Sequence, residues 1–286
     1  MIALTGATGQ LGRLVLDQLL QTAPAGSIAA LVRQPAKAAA LVARGVQIRA
    51  ADYGDPAALE NALIGVEKLL LISSSEVGRR SAQHRNVIDA ARRSGVGMLV
   101  YTSLLHADTS ALDLAPEHRE TEATLRASGL PFIILRNGWY TENYTASLSS
   151  ALTLGALHGS AGEGRIASAA RADYAAAAAK ALTGAVAPGQ TLELAGDHAY
   201  TLAELAAELS RQTGKTIPYR NLPEADYRAA LLAAGLPEWL AKGLASWDSA
   251  AAHGALFDEG RALSRLIGRP TTSLADSVRQ ALANRG

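Results

Sequence analysis

A doubly wound parallel α/β sheet followed by a smaller, mostly helical C-terminal lobe is the fold this sequence predicts, and three observations carry the prediction. Short apolar runs at 2–5, 28–32, 46–50, 69–72, 98–102 and 132–136, with a later one at 191–194, alternate with helical stretches. Most of these runs are continuously apolar rather than alternating, as in strands covered on both faces. A glycine-rich turn joins the first run to the first helix, the place where such sheets hold ligands. Strand–helix alternation of this kind implies right-handed crossovers and a parallel sheet.

The elements follow in order. In the first helix Leu11, Val15 and Leu19 recur at four-residue spacing with Leu14 beside them, forming one apolar stripe. Residues 35–44 read as a helix closed by Gly45, and Asp55-Pro56 is a cap and first-turn pair opening another. Residues 81–94 form a polar-faced helix with Val87, Ile88 and Ala91 inward, stopped by Gly95. After about Tyr140 the rhythm changes. Residues 147–164 are poor in strand signals and end in a glycine-rich turn, whereas the alanine-rich stretch 175–181, flanked by Asp173 and Tyr174 and containing Lys180, reads as an ordinary packed helix. Thr201 and Glu204 form a capping box for a helix through Leu209. Residues 223–247 predict one or two more helices, broken at 235–237, and no internal repeat or linker is seen.

Composition excludes several function classes. The chain has 286 residues with 27 Lys+Arg against 26 Asp+Glu, a balance unlike the strongly basic stripe of a nucleic-acid binder. It contains no Cys, which rules out disulfides, Cys-ligated zinc, Fe–S clusters and thiol nucleophiles. The six His show no His-x-x-x-His spacing, so no metal is expected. No apolar run approaches the roughly 20 residues of a membrane span, and no secretory pattern opens the chain, so a cytoplasmic location is expected. Surface charge permits either a monomer or a homodimer.

The turn after the first strand is Thr5-Gly6-Ala7-Thr8-Gly9-Gln10-Leu11-Gly12. In this G-x-x-G-x-x-G spacing Gly6 permits the tight turn, Gly9 lets the backbone approach a pyrophosphate, and Gly12 lets the helix pack on the strand. The helix N-terminus then faces the anion with unpaired N–H groups. A plain strand-to-helix turn is the alternative, but the strand and amphipathic helix at the expected places favour nucleotide binding.

The second strand ends in Arg33 with Lys37 one turn beyond, and no carboxylate occurs between Asp17 and Asp52. A guanidinium suits the 2′-phosphate of NADP, where a carboxylate would suit the ribose of NAD, so NADP(H) is the expected cofactor. A solvated surface arginine is the other possibility. Asp52, ending the third strand, is placed to bind the adenine amino group, with Tyr53 as an apolar edge. Ser73, Ser74 and Ser75 end the fourth strand, either along a ribose or nicotinamide or as a generic loop. Residues 1–140 are thus read as an NADP-binding Rossmann domain, with 165–200 returning to it. Residues 141–164 and 201–286 form the smaller substrate-side lobe.

The strings Leu70-Leu-Ile-Ser-Ser-Ser75, Tyr101-Thr-Ser-Leu-Leu-His-Ala-Asp108, Leu135-Arg-Asn-Gly-Trp-Tyr140 and Ile166-Ala-Ser-Ala-Ala-Arg-Ala-Asp-Tyr174 are more specific than the glycine loop. With them the chain resembles the atypical short-chain dehydrogenase/reductases over nearly its whole length. Within that superfamily it resembles the NmrA-like branch, and is most similar to bacterial NADPH-dependent quinone oxidoreductases of the quinone oxidoreductase 2 type. That resemblance implies direct hydride transfer from NADPH to a small-molecule quinone without flavin. It also leaves open an NADP(H)-binding redox sensor with little turnover.

One departure from the superfamily bears on mechanism. The usual Tyr-x-x-x-Lys acid–base pair is missing: Leu114 stands at the Tyr position and His118 at the Lys position. His118 is either a proton donor or, as expected for a lone His at a polar helix start, a solvated residue. A quinone does not require the pair, because its reduced anion can be protonated by water. The Asn137 amide and the backbone at Gly138 are expected to orient nicotinamide or quinone, with Trp139 or Tyr140 as an aromatic wall or as core. Asn137 and Tyr140 are the candidate catalytic positions. Arg171 either caps the cofactor pocket or pairs with Asp173, and Trp239 and Trp247 are expected in the core of the helical lobe.

Overall fold

The computed structural model describes residues 1–284. The first half builds a sheet in strict alternation: β1 (Ile2–Leu4), α1 (Gln10–Leu19), β2 (Ile28–Val32), α2 (Ala39–Val42), β3 (Gln47–Ala50), α3 (Pro56–Leu63), β4 (Lys68–Leu71), α4 (Arg80–Arg93), β5 (Met98–Leu104), α5 (Ala115–Ala127) and β6 (Phe132–Asn137). Then come α6 (Thr141–Thr145), α7 (Leu148–Leu154), β7 (Leu157–Gly159), α8 (Arg171–Leu182) and β8 (Gln190–Leu194). The chain continues through α9 (Leu202–Thr213), β9 (Tyr219–Asn221), α10 (Glu224–Ala233), α11 (Glu238–Ala252), α12 (Ala262–Ile267) and α13 (Leu274–Ala283).

The large sheet has the order β3-β2-β1-β4-β5-β6-β8, and every pairing in it is parallel. This is the doubly wound arrangement, and its strand order reverses beside β1, so a crevice opens at the carboxyl ends of β1 and β4. Successive residues of β1, β2, β4 and β5 are buried, because helices cover both faces. On one face Leu11, Val15 and Leu19 of α1 pack with Ala175, Ala178 and Ala181 of α8. Small alanine side chains let α8 lie close on α1, so its composition reflects packing. On the other face Leu59, Leu63, Val87, Ile88 and Leu125 meet Leu69, Leu71 and Leu99.

Two expectations are corrected. The stretch 35–44 is a 3₁₀ turn, Pro35–Ala38, running into the single helical turn of α2, because Ala38 leaves helical geometry with φ −104° and ψ 11°. The stretch 147–164 contains a helix and a strand: α7 ends at left-handed Gly155, and β7 pairs with β9, far away in sequence. Three residues whose partner lies that distant leave no local signal. The capping residues behave as read, with Asp55 accepting from the Ala58 N–H and Thr201 and Glu204 forming a reciprocal box. A third apolar cluster, including Leu104, Trp139, Leu157, Tyr200, Leu205 and Leu256, builds the core between the sheet's carboxyl edge and the C-terminal helices.

Candidate active site

Two cavities meet at the carboxyl edge of the sheet. The first, of about 380 Å³, is lined by Gly6, Thr8, Gly9, Gln10, Leu11 and Gly12, by Arg33 and Lys37, by Asp52 and Tyr53, and by Ser73, Ser74 and Ser75. Every cofactor-binding residue expected from the first four strands is therefore there except Ala7, whose side chain turns into the core. The second, of about 930 Å³, holds Asn137, Gly138, Trp139, Tyr140 and Arg171. Gln10 and Ser73 line both, so the two adjoin along the sheet edge.

The loop is shaped for an anion. Gly6 has φ +60°, open to glycine and strained for other residues. A Cβ at Gly12 would press on the Gly6 carbonyl oxygen and come within 2.8 Å of the Ala7 Cα. No side chain caps the α1 N-terminus, so the amides of its first turn are left for a ligand. Tyr53 is more than an apolar edge. Its hydroxyl donates to the Ile72 carbonyl at 2.7 Å and lies 2.6 Å from Thr5 Oγ1, tying β1, β3 and β4 together below the loop. Burial pushes its pKa up, so it stays protonated.

Arg33 stands at the mouth of this cavity, but not alone. Its Nη1 lies 2.8 Å from Glu76 Oε1, and Glu76 Oε2 accepts from Gln83 at 2.9 Å and from Arg79 at 3.3 Å. Glu76 is a site residue that sequence reading missed. The cue was its position directly after the serine run.

Asn137 is aimed by a buried ion cluster one residue away. Arg136 donates to both oxygens of Glu122, at 2.9 and 2.8 Å, and to Glu193 at 2.7 Å. These bonds hold the Glu122 carboxyl below its usual range even though burial opposes ionisation. They clamp the end of β6 to α5 and β8. The neighbouring Asn137 is buried, and its Oδ1 has no partner within the protein. A buried amide oxygen left unpaired in a groove fits the carboxamide of a nicotinamide. Gly138 must be small, since a Cβ there would lie 3.0 Å from Tyr174 Oη.

Trp139 and Tyr140 both line the second cavity, and Trp139 also belongs to the apolar core of the helical lobe. Trp139 packs edge-on against Trp247, ring centroids 5.4 Å apart, and both line the cleft. Trp247 thus lines the cleft while also packing against the apolar core of the helical lobe. Trp239, by contrast, is not core: it is 68% exposed. Tyr140 packs edge-on against Tyr174, and the Arg171 guanidinium sits 4.5 Å from the Tyr140 ring centre. Arg171 bonds Asn143 at 2.7 Å and faces Glu142, so of its two alternatives the Arg171–Asp173 pair does not form; Asp173 binds Arg269 and Thr272 instead.

The solvated His118 is a further correction. It is buried because α5 lays this face on β5, and its Nδ1 lies 2.7 Å from Tyr101 Oη while its Nε2 lies 3.3 Å from Arg80 Nη1. Burial, then the charge of Arg80, lowers its pKa to about 3. His118 is therefore a neutral ring at physiological pH and a poor acid. Among the described residues no cluster of potential metal ligands occurs, and no helix is long and apolar enough to cross a membrane.

Residues 6–184 match the family described as NAD(P)H-binding. The chain belongs to this NmrA-like family. Relatives in the family agree over almost full length. Quinone oxidoreductase 2 of Escherichia coli strain K12 is 60% identical over 278 residues, covering 97% of each chain. The crystal structure of the NADPH-dependent quinone oxidoreductase from that species, complexed with NADPH, superposes with a TM-score of 0.97 at 60% identity, covering 99% of this chain and 100% of the other. The triphenylmethane reductase of Citrobacter sp., complexed with NADP(H), gives a TM-score of 0.95 at 37% identity, covering 98% and 100%.

Proposed function

We propose that this protein is an NADPH-dependent quinone oxidoreductase. The observation that carries the assignment is the adjacency of the two cavities: the one lined by the glycine loop and Arg33 shares Gln10 and Ser73 with an aromatic-walled cleft. The near-full-length likeness to the E. coli quinone oxidoreductase supports it. In the bound state NADPH supplies the hydride, which passes directly to the quinone without a flavin. The chain's own residues do the rest. The first-turn amides of α1 hold the pyrophosphate, Arg33 the 2′-phosphate, and Asp52 the adenine. Asn137 Oδ1 accepts from the carboxamide and fixes the ring face, and Trp139 with Trp247 holds a planar acceptor against that face. Holding the two partners at near-attack distance is the main catalytic contribution. We take 1–140 with 165–200 as the cofactor-binding unit and the remainder as the acceptor-side lobe, in a cytoplasmic enzyme.

Purified protein mixed with NADPH and 1,4-benzoquinone should oxidise the nicotinamide, followed at its absorbance band, and NADH should be used less well. No protein-dependent oxidation across several quinones would leave a redox sensor as the better account.

A further inference from the structure

The lining of the cleft includes a buried cation that the hydride-transfer scheme does not use. Arg80 lines the cleft alongside Ser103, His118 and Asn137, and is only 6% exposed. Its Nε donates to the Ser74 carbonyl at 2.8 Å, and its Nη1 faces His118 Nε2. A guanidinium can only donate, so His118 Nε2 accepts, and the ring proton sits on Nδ1 toward Tyr101 Oη. The neighbouring His84 is fixed in the same way. Its Nε2 accepts from the Ser74 N–H at 2.9 Å, leaving Nδ1–H for Thr121 Oγ1 at 3.0 Å, and the Thr121 hydroxyl donates on to the Glu117 carbonyl. Burial and Arg80 lower the pKa of both rings to about 3, so neither adds charge. Tyr101 is buried and stays protonated. The facing carboxylate, Glu117 on α5, stands 3.9 Å from Nη1 and spends its oxygens on the Gly78 and Arg80 backbone N–H groups. Arg80 is thus a rigid cation, loosely neutralised, in a cleft whose lining also includes Leu104, Leu114 and Trp139.

We propose that Arg80 makes an oxyanion site of this part of the cleft, its guanidinium receiving the phenolate oxygen of an aromatic ring bound there. The site deepens the quinone assignment and rests on the cleft being the acceptor pocket. A quinone that takes up a hydride from the reduced dinucleotide gains two electrons and one proton and carries one negative charge on oxygen. Arg80 offsets that charge until water supplies the second proton. Donors fixed before the charge develops need no reorganisation, which makes such a site effective. It stands in for the missing Tyr-x-x-x-Lys pair by stabilising the anion rather than protonating it. His118 and Tyr101 act as positioning residues.

The test needs no cofactor. Titrating 4-nitrophenol in the presence of the protein reports, through the phenolate absorbance, which protonation state is bound. The wild-type protein should lower the apparent pKa of bound nitrophenol by about one unit, a roughly tenfold preference for phenolate. Arg80→Gln should abolish the shift. Glu117→Gln, which keeps a backbone-accepting oxygen but removes the countercharge, should enlarge it. Failure to bind, an unshifted pKa in the wild type, a shift surviving Arg80→Gln, or a smaller shift in Glu117→Gln would overturn the site. Should Arg80→Gln not fold, the wild-type and Glu117→Gln titrations still decide. An Arg80-dependent shift without quinone turnover would condemn the enzymatic assignment and leave the site, while turnover without a shift would do the reverse.

Discussion

Trp247 on α11 donates its indole N–H to the Asp113 carboxylate at 2.7 Å, and thereby joins the C-terminal helices to the segment before α5 beside the second cavity. The same indole packs edge-on against Trp139. Trp247→Phe keeps an aromatic face but loses the donor, and Asp113→Asn loses the charged acceptor. A partly exposed charge-assisted bond contributes about 1 kcal/mol. Each variant should therefore raise the KM for benzoquinone about fivefold, with a smaller effect on kcat. Steady-state kinetics at saturating NADPH would check this, and an unchanged KM in both variants would remove the clasp from substrate binding.

The Arg33–Glu76 pair predicts opposite effects from its two members. A 2′-phosphate must take Arg33 from the Glu76 carboxylate, which now lies 2.8 Å away. Arg33→Gln should weaken NADPH binding by about 2 kcal/mol, roughly thirtyfold, and leave NADH little changed. Glu76→Gln removes the competitor and a repulsive charge, so NADPH should bind a few-fold more tightly. Titration of the two cofactors by fluorescence quenching measures both. Equal losses for NADPH and NADH in Arg33→Gln would deny Arg33 its discriminating role.

Much of this site could be read locally. The glycine loop, Arg33, Asp52 and the serine run each follow a strand of the parallel sheet, and strand ends converge on one edge whatever the details of packing. The groups that escaped reading are those whose meaning depends on a distant partner. His118 looks solvated on a helix with charged neighbours, and only the packing of α5 on β5 puts Tyr101 against it. Arg171 lies two residues from Asp173, yet α6 brings Glu142 and Asn143 closer. Trp247 became a cleft wall through contact with residues more than a hundred positions away. Sheet position was legible because it is set by strand order, whereas side-chain partnership was not.

Gly12 offers a test of the loop itself. An added methyl would meet the Gly6 carbonyl and the Ala7 Cα, both backbone, so the loop must move. Overpacking of this kind costs about 1–3 kcal/mol. Gly12→Ala should lower Tm by several degrees and lose the thermal stabilisation that NADPH gives the wild type by mass action. Thermal melts with and without NADPH compare the two. A variant still stabilised by NADPH to the wild-type extent would show that the ligand does not depend on the close approach of α1 to this turn.

Asp248 gives the stability a pH dependence opposite to that of most carboxylates. Its Oδ2 accepts from the Ser160 N–H at 3.0 Å and its Oδ1 from the Tyr144 hydroxyl at 3.3 Å. Burial outweighs both bonds and raises its pKa from 3.8 to about 6. Below about pH 4 the carboxyl is protonated folded or unfolded and contributes nothing. Between about pH 4 and 6 the unfolded chain releases the proton while the folded protein retains it, so the native state loses ground as pH rises. Above pH 6 the full penalty applies, about 3 kcal/mol at 1.36 kcal/mol per unit. Asp248→Asn can still accept from Ser160 with its oxygen and donate to the Tyr144 oxygen with its amide. The variant should therefore melt several degrees higher than the wild type at pH 8, with the difference fading toward pH 4. Melting curves across that range decide the matter, and a variant less stable at pH 8 than at pH 4, relative to wild type, would show that the two accepted hydrogen bonds outweigh the cost of burying the charge.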